Sequence, residues 1–386
     1  MEPTWNTRTP KRIKNQDNRL IALTQASQVS NVIQLVDNDD NSIVNTGEHT
    51  AVNGSLFFSG ANSENPNDTE LWKSDGTPEG TVRVKDINPG SNASNPSHLT
   101  AIGSTVYFAA NDGNGNKLWK SDGTDSGTVV AEDDNSRTFA DPKGFAVIDS
   151  TLYFTTYDED NLGELWKTDG SSSGTALIKA GIAGSPNSPR PTNELKAVGS
   201  ELYFANYTDE LGLELWKHDS ESGNTGIVKD IAPGESYGIK NGSYPGRFTA
   251  NGSTLYFVAE NSTYAGELWK SDGTEAGTIL VKDIRPGSAH SNMSNLTSIG
   301  SDIYFTADDG LKGTELWKSD GTEAGTILVK DIRPGSLSSS PNSLAAFGST
   351  LYFRANDGSN GFELWTSDGT PKDTNLLKYI RLGSSS

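Results

Sequence analysis

Along this chain apolar and polar residues alternate with a period of two over short runs, and the runs are punctuated by Gly, Asn, Asp and Ser. No stretch longer than about ten residues places apolar side chains at i, i+3, i+4 and i+7, so strands and tight turns are predicted throughout and helix is not. The cycle spanning residues 247–284 shows the grammar well. Strands are predicted over 247–250 (A), 254–259 (B), 267–271 (C) and 278–284 (D). Turns separate them at Asn251-Gly252, at Tyr264-Ala265-Gly266 and at Asp272-Gly273, where Gly and Asn tolerate positive φ.

The alternation fails in an instructive place. Strand B carries three consecutive large residues in every cycle: Leu56-Phe57-Phe58, Val106-Tyr107-Phe108, Leu152-Tyr153-Phe154, Leu202-Tyr203-Phe204, Leu255-Tyr256-Phe257, Ile303-Tyr304-Phe305 and Leu351-Tyr352-Phe353. A strand with one wet side would not do this, so both faces of each sheet are expected to be covered. Strand C repeats the point, because Leu268 and Trp269 are neighbours and therefore face opposite ways. Trp72, Trp119, Trp166, Trp216, Trp269, Trp317 and Trp365 mark this strand in seven copies, spaced by 47, 47, 50, 53, 48 and 48 residues.

Four-stranded units of this length that cannot bury their own faces are the signature of β-propeller blades. The fold expectation is therefore all-β: a seven-bladed propeller of four-stranded antiparallel blades over residues 39–386, preceded by an N-terminal arm over 1–38. Leu376 to Ile380 is expected to supply the fourth strand of the last blade. Val32 to Val36 is expected to clasp alongside it and so help the ring to close.

The run Glu-Leu-Trp-Lys-Ser-Asp-Gly-Thr-Glu-Ala-Gly-Thr-Ile-Leu-Val-Lys-Asp-Ile at 267–284 recurs at 315–332, and the identity between these two copies extends over 22 residues. It resembles the ELWxxDGT repeat family of bacterial proteins, over about 330 residues of this chain. That resemblance implies a propeller-like repeat in a secreted or cell-surface setting and brings no single activity with it.

Composition narrows the partners. With 31 Lys and Arg against 50 Asp and Glu the net charge is −19, which opposes non-specific attachment to nucleic acid or anionic membranes. The basic exception is the arm, with Arg8, Lys11, Arg12, Lys14 and Arg19 near Trp5. Zero cysteines remove disulfides and thiolate chemistry. No apolar run is long enough for a membrane span, and none follows the basic N-terminus as in a Sec signal peptide, so an extracellular location would need another export route or a leader lost from this sequence.

Candidate chemistry is sparse. The Ser-Asp-Gly-Thr turns led by Ser74, Ser121, Ser271, Ser319 and Ser367 read as structural Asx turns. Glu267 and Lys270 read as partners for weak exposed ion pairs across blades. No nucleophile elbow, Walker loop or dinucleotide fingerprint occurs. The variable segments are the B-to-C and D-to-A loops, which share one face of the ring. Asp112, Asn114, Asp158, Asp160, Asp309, Asp357, His98 and His290 on or near them are the candidate ligand-binding residues, with Ca²⁺ as a cofactor that such oxygen-rich loops could hold. The function expected on this basis is a non-enzymatic binding or adhesion module for a glycan, surface polymer or protein. Two alternatives stand beside it: a structural component of a larger assembly docked through the arm, and a propeller hydrolase or lyase built on a carboxylate pair near the axis.

Overall fold

The computed structural model describes residues 35–37, 39, 41–157, 163–183, 194–236 and 238–378. Every regular element among them is a β-strand. In the fifth repeat, strands A (Gly246–Asn251), B (Thr254–Ala259), C (Glu267–Ser271) and D (Ile279–Lys282) pair in chain order as one antiparallel sheet. Repeats four, six and seven form separate sheets of the same kind. Repeats two and three are joined into one larger sheet where Ala140 lies opposite Lys117. The A strands of successive repeats lie side by side, so the A edges gather on one side of the stack.

The uninterrupted apolar triplets are explained by what covers them. In the fifth repeat Leu255, Phe257 and Trp269 pack with Tyr203, Leu215 and Val228 of the repeat before. Tyr256 and Leu268 pack with Ile303, Phe305 and Trp317 of the repeat after. Sheets inside the stack are thus buried on both faces, and Trp72, Trp119, Trp166, Trp216, Trp269, Trp317 and Trp365 lie in or against the core clusters.

The two ends of the stack differ from one another. Phe58 and Trp72 of the first repeat have no preceding repeat against them, and Leu35 and Ile43 cover them instead. The short strand Ile43–Val44 pairs with strand B of that repeat at Asn62 and Ala61. Val36 bridges Ser42, and the rest of the expected clasp, 32–34, lies outside the described residues together with 1–31. At the other end Asn375–Lys378 does pair with Phe362–Ser367 as a fourth strand. Among the described residues nothing covers the outer face of this last sheet: Phe347, Phe362 and Leu377 are 46%, 37% and 47% exposed. Among the described residues no strand pairing and no core cluster joins the seventh repeat to the first, so the expected closure of the stack is not observed.

The recurring motif is a set of fastenings. Ser271 Oγ and Thr278 Oγ1 lie 2.8 Å apart across the base of the C-to-D turn, Asp272 Oδ1 accepts from Thr274 N at 2.9 Å, and Gly273 takes φ +87°. Only glycine fits there, because a Cβ on Gly273 or on its counterpart Gly321 would collide with the Tyr203 or Tyr256 hydroxyl reaching over from the preceding repeat. The lysine of the motif joins the same contact: Lys73, Lys120 and Lys270 donate to the carbonyls of Gly123, Gly170 and Gly321, at 2.7 to 2.9 Å.

The glutamate of the motif is not the exposed ion-pair partner that its alternation suggested. Glu267 is fully buried and accepts from Ile284 N at 2.8 Å, tying strand C to the end of strand D. Glu70 accepts from Ile87 N, Ser94 N and Ser94 Oγ at 3.0, 3.1 and 2.6 Å, and Glu315 does the same with Ile332 and Ser339. The lysine therefore spans repeats without this carboxylate, and the glutamate works within its own. Burial pushes Glu214 and Glu267 up to about 7, against amide and hydroxyl donors that pull the other way.

Two outcomes follow from this packing. Trp269→Ala empties a site between two repeats and should cost ~3 to 5 kcal/mol of stability, read as a lowered melting temperature. Because the folded carboxyl of Glu267 titrates above its unfolded value of 4.5, the folded state holds the extra proton, and its stability falls as pH rises from there through about 7. Glu267→Gln should flatten that part of the melting-temperature profile relative to the parent chain. A profile of unchanged slope would show that Glu267 stays ionised throughout.

Candidate functional site

Among the described residues no cluster gathers the loop candidates singled out by sequence, and most of them are occupied with their own turns. Asp112 pairs with Lys117 at 2.7 Å and accepts from Asn114 N at 2.9 Å. Burial alone would raise its pKa, and these donors hold it below the usual carboxylate value. Asp309 Oδ1 accepts from Leu311 N and Lys312 N, both at 2.8 Å, while Asp357 accepts from Ser359 N, Asn360 N and Asn360 Nδ2. Asx-type turns of this kind consume the oxygens that a cation would need. His290 Nδ1 accepts from Gly266 N at 3.0 Å. Asp158 and Asp160 lie outside the described residues.

One set of three carboxylates among the described residues has oxygens within 4.8 Å of one another: Asp68, Glu70 and Asp86, beside a cavity of about 350 Å³ lined in part by Asp68, Trp72 and Arg83. Sequence reading had passed over it. Arg83 already sits on it, 3.1 Å from Asp68 and 3.6 Å from Asp86, and the oxygens of Glu70 are taken by the amides and hydroxyl described above. Positive charge and hydrogen bonds are thus supplied from within the chain. Nor does any serine hydroxyl bond to a histidine among the described residues; His218, the most buried histidine, is held by Thr225 Oγ1 at 2.8 Å.

The place where chemistry varies on a rigid frame is the inner edge, strand A. Four residues before the last residue of this strand the repeats carry Glu48, His98, Gly144, Glu194, Arg247, Asn295 and Ser343 in turn. At this position the strands of repeats two, three, five, six and seven are bulged, and the residue takes positive φ, from +54° to +61°. A bulge sets two residues against one on strand B and leaves the extra residue out of the ladder.

The side chain of one repeat meets the bulge of the next. Glu194 accepts from Arg247 N at 2.8 Å and from Phe248 N, so one carboxylate fills both amides. Glu48 accepts from Leu99 N at 3.3 Å. His98 stacks on Phe145, with ring centroids 5.4 Å apart, and Asn295 Nδ2 reaches Pro341 O at 3.5 Å. Of the sequence candidates His98 alone belongs to this set. Aligning the repeats on their A-to-B turns, and asking which strand position changes chemistry, is the signal that finds the others.

No family model and no curated protein sequence matches the chain. Similar solved structures exist. One comes from a structural and mechanistic study of two prolyl endopeptidases concerned with the role of inter-domain dynamics in catalysis and specificity: TM-score 0.52, 16% identity, covering 87% of this chain and 48% of that one. Another is prolyl oligopeptidase B from Galerina marginata: TM-score 0.50, 11% identity, 89% and 52% covered. A third is the β-propeller domain of the Trilobed protease from Pyrococcus furiosus, at TM-score 0.46 and 10% identity, with 87% and 98% covered. This chain spans about half the length of the two prolyl peptidases it matches.

At such identities the likeness speaks for the fold alone: an all-β array of antiparallel four-stranded sheets. It also corrects the functional expectation. These two similar chains are peptidases, which speaks against the expected non-enzymatic adhesion module recognising a glycan, surface polymer or protein.

Proposed function

We propose that this chain is a peptidase-associated propeller of seven blades, a member of the ELWxxDGT repeat family, whose inner edge handles peptide on behalf of a hydrolytic centre. The observation that carries the reading is the match over 87% of this chain to about half of a prolyl endopeptidase. The arrangement of the site supports it. Strand A lies at the sheet edge in most repeats and presents a changing series of residues, from Glu48 to Ser343, to whatever enters along the inner edge. Extended peptide is well matched to such an edge, because main-chain groups give affinity and alternate side chains give selectivity.

In this reading peptide-bond cleavage needs a nucleophile and base that the described residues do not assemble, so the hydrolytic centre is placed in a partner domain or chain. The half-open end of the stack fits the same role. Exposed Phe347, Phe362 and Leu377 leave room for a neighbouring domain against the seventh blade.

The test is to recover the chain from its native host and assay the recovered material on a chromogenic proline-containing peptide. Hydrolysis should be enriched over a control recovery and abolished by a serine-hydrolase inhibitor. Recovery of the intact chain with no peptidase activity above the control would overturn the proposal.

A further inference from the structure

The inner edge repeats one backbone device and fills it unevenly. In the fifth repeat the bulge lies between Gly246, opposite Val258, and Thr249, opposite Tyr256, and the amides of Arg247 and Phe248 converge on the carboxylate of Glu194. In the sixth repeat the register is the same, with Ser294 opposite Thr306 and Thr297 opposite Tyr304. The amides of Asn295 and Leu296 therefore take the places of Arg247 and Phe248, and Asn295 has φ +57° against +58° for Arg247. The carbonyl of Leu296 is engaged by Thr249 Oγ1 at 3.1 Å, which holds this backbone against the fifth repeat.

What differs is the residue at the equivalent strand position of the repeat before. Where the fourth repeat supplies Glu194, the fifth supplies Arg247. A guanidinium cannot accept from an amide. No side chain among the described residues accepts from Asn295 N or Leu296 N, and Arg247 is exposed and makes no ion pair among them. Two amides in the register and backbone conformation that hold a carboxylate one repeat away thus adjoin a strand that carries a cation at the matching position, in a chain whose net charge is −19. Successive amides in such a conformation form an anion-binding concavity, and arginine adds a charge-assisted donor.

We propose that the Asn295 and Leu296 amides, with the Arg247 side chain, are a receptor for a carboxylate carried by a peptide. This rests on the peptide-handling role argued above and names the group by which the peptide is oriented. Glu194 is the internal example: the chain occupies the equivalent place in the fifth repeat with its own carboxylate and leaves this one to a ligand.

The experiment uses the full chain and three fluorescent proline-containing peptides: one with a free C-terminal carboxylate, the same peptide amidated, and the amidated peptide with one internal Glu. Binding is read by fluorescence anisotropy. The free acid should bind at least about tenfold more tightly than the neutral amide, as loss of a charged hydrogen-bonding partner implies. If the glutamyl amide recovers that affinity, the carboxylate recognised is a side chain; if it does not, the site takes the chain terminus.

Arg247→Glu copies the fourth repeat, so the new carboxylate should settle on the Asn295 and Leu296 amides, keep the melting temperature at or above that of the parent, and lower affinity for the acid peptide by about tenfold or more. Arg247→Ala, which removes only the cation, gives the same direction should the first variant fold poorly. Equal binding of acid and neutral peptides, no binding of any of the three, or undiminished binding by both variants would overturn the proposal. Failure here together with peptidase activity in the native recovery would leave the peptidase association standing and remove only this site.

Discussion

A sheet only four strands wide, apolar on both faces, has to be covered twice, and that requirement governs this protein. Trp269 and Phe257 turn one way and Leu268 and Tyr256 the other, so the fifth repeat is buried only when the fourth and sixth are in place. The stack is consequently stable as a whole and not repeat by repeat. It also has an end problem. The first sheet solves it with Leu35 and Ile43, whereas the outer face of the seventh keeps its apolar residues exposed.

The polar parts of the motif serve the same requirement. A glutamate removed from water inside the first, fourth, fifth and sixth repeats gathers amides from the end of strand D and, in three of them, the loop beyond it, which settles backbone donors that would otherwise be buried unpaired. Its cost shows in the raised pKa of Glu214 and Glu267. The lysine and tyrosine act between sheets, seating each repeat on the Asp-Gly turn of the next. With these positions committed to construction, residues free to change are confined to loops and to the inner edge. The loops spend their aspartates on their own turns, which leaves the inner edge as the place where a constant frame carries variable chemistry.

The second and third repeats show how far the device tolerates change. Lys117 replaces the buried glutamate and turns to Asp112, while in the third repeat Arg137 bridges from the preceding loop to Glu164 and lies 5.0 Å over the Trp166 ring. These are the repeats whose sheets are joined through Lys117 and Ala140. Departure from the motif and departure from the separate-sheet arrangement coincide in the same few residues.

Strand content, the four-strand cycle, the turn glycines and burial of both faces were legible in the sequence, because period-two alternation, Asp-Gly and Asn-Gly turns and unbroken apolar triplets are local consequences of backbone sterics and hydrophobic burial. The seven tryptophans alone placed the inter-repeat core. Partnership across the stack was decided by tertiary structure. Alternation put Glu267 and Lys270 on opposite faces of a strand and suggested exposed pairing, but which polar groups lie opposite depends on the next sheet and on the loop folded over strand D. Likewise His98 was marked for being a histidine, whereas its companions at Glu194, Arg247 and Asn295 became a set only when a bulge in one repeat was brought beneath the side chain of another. A carboxylate's nearest amide can be 53 residues away in sequence, as Glu194 is from Arg247, and no local pattern encodes that distance.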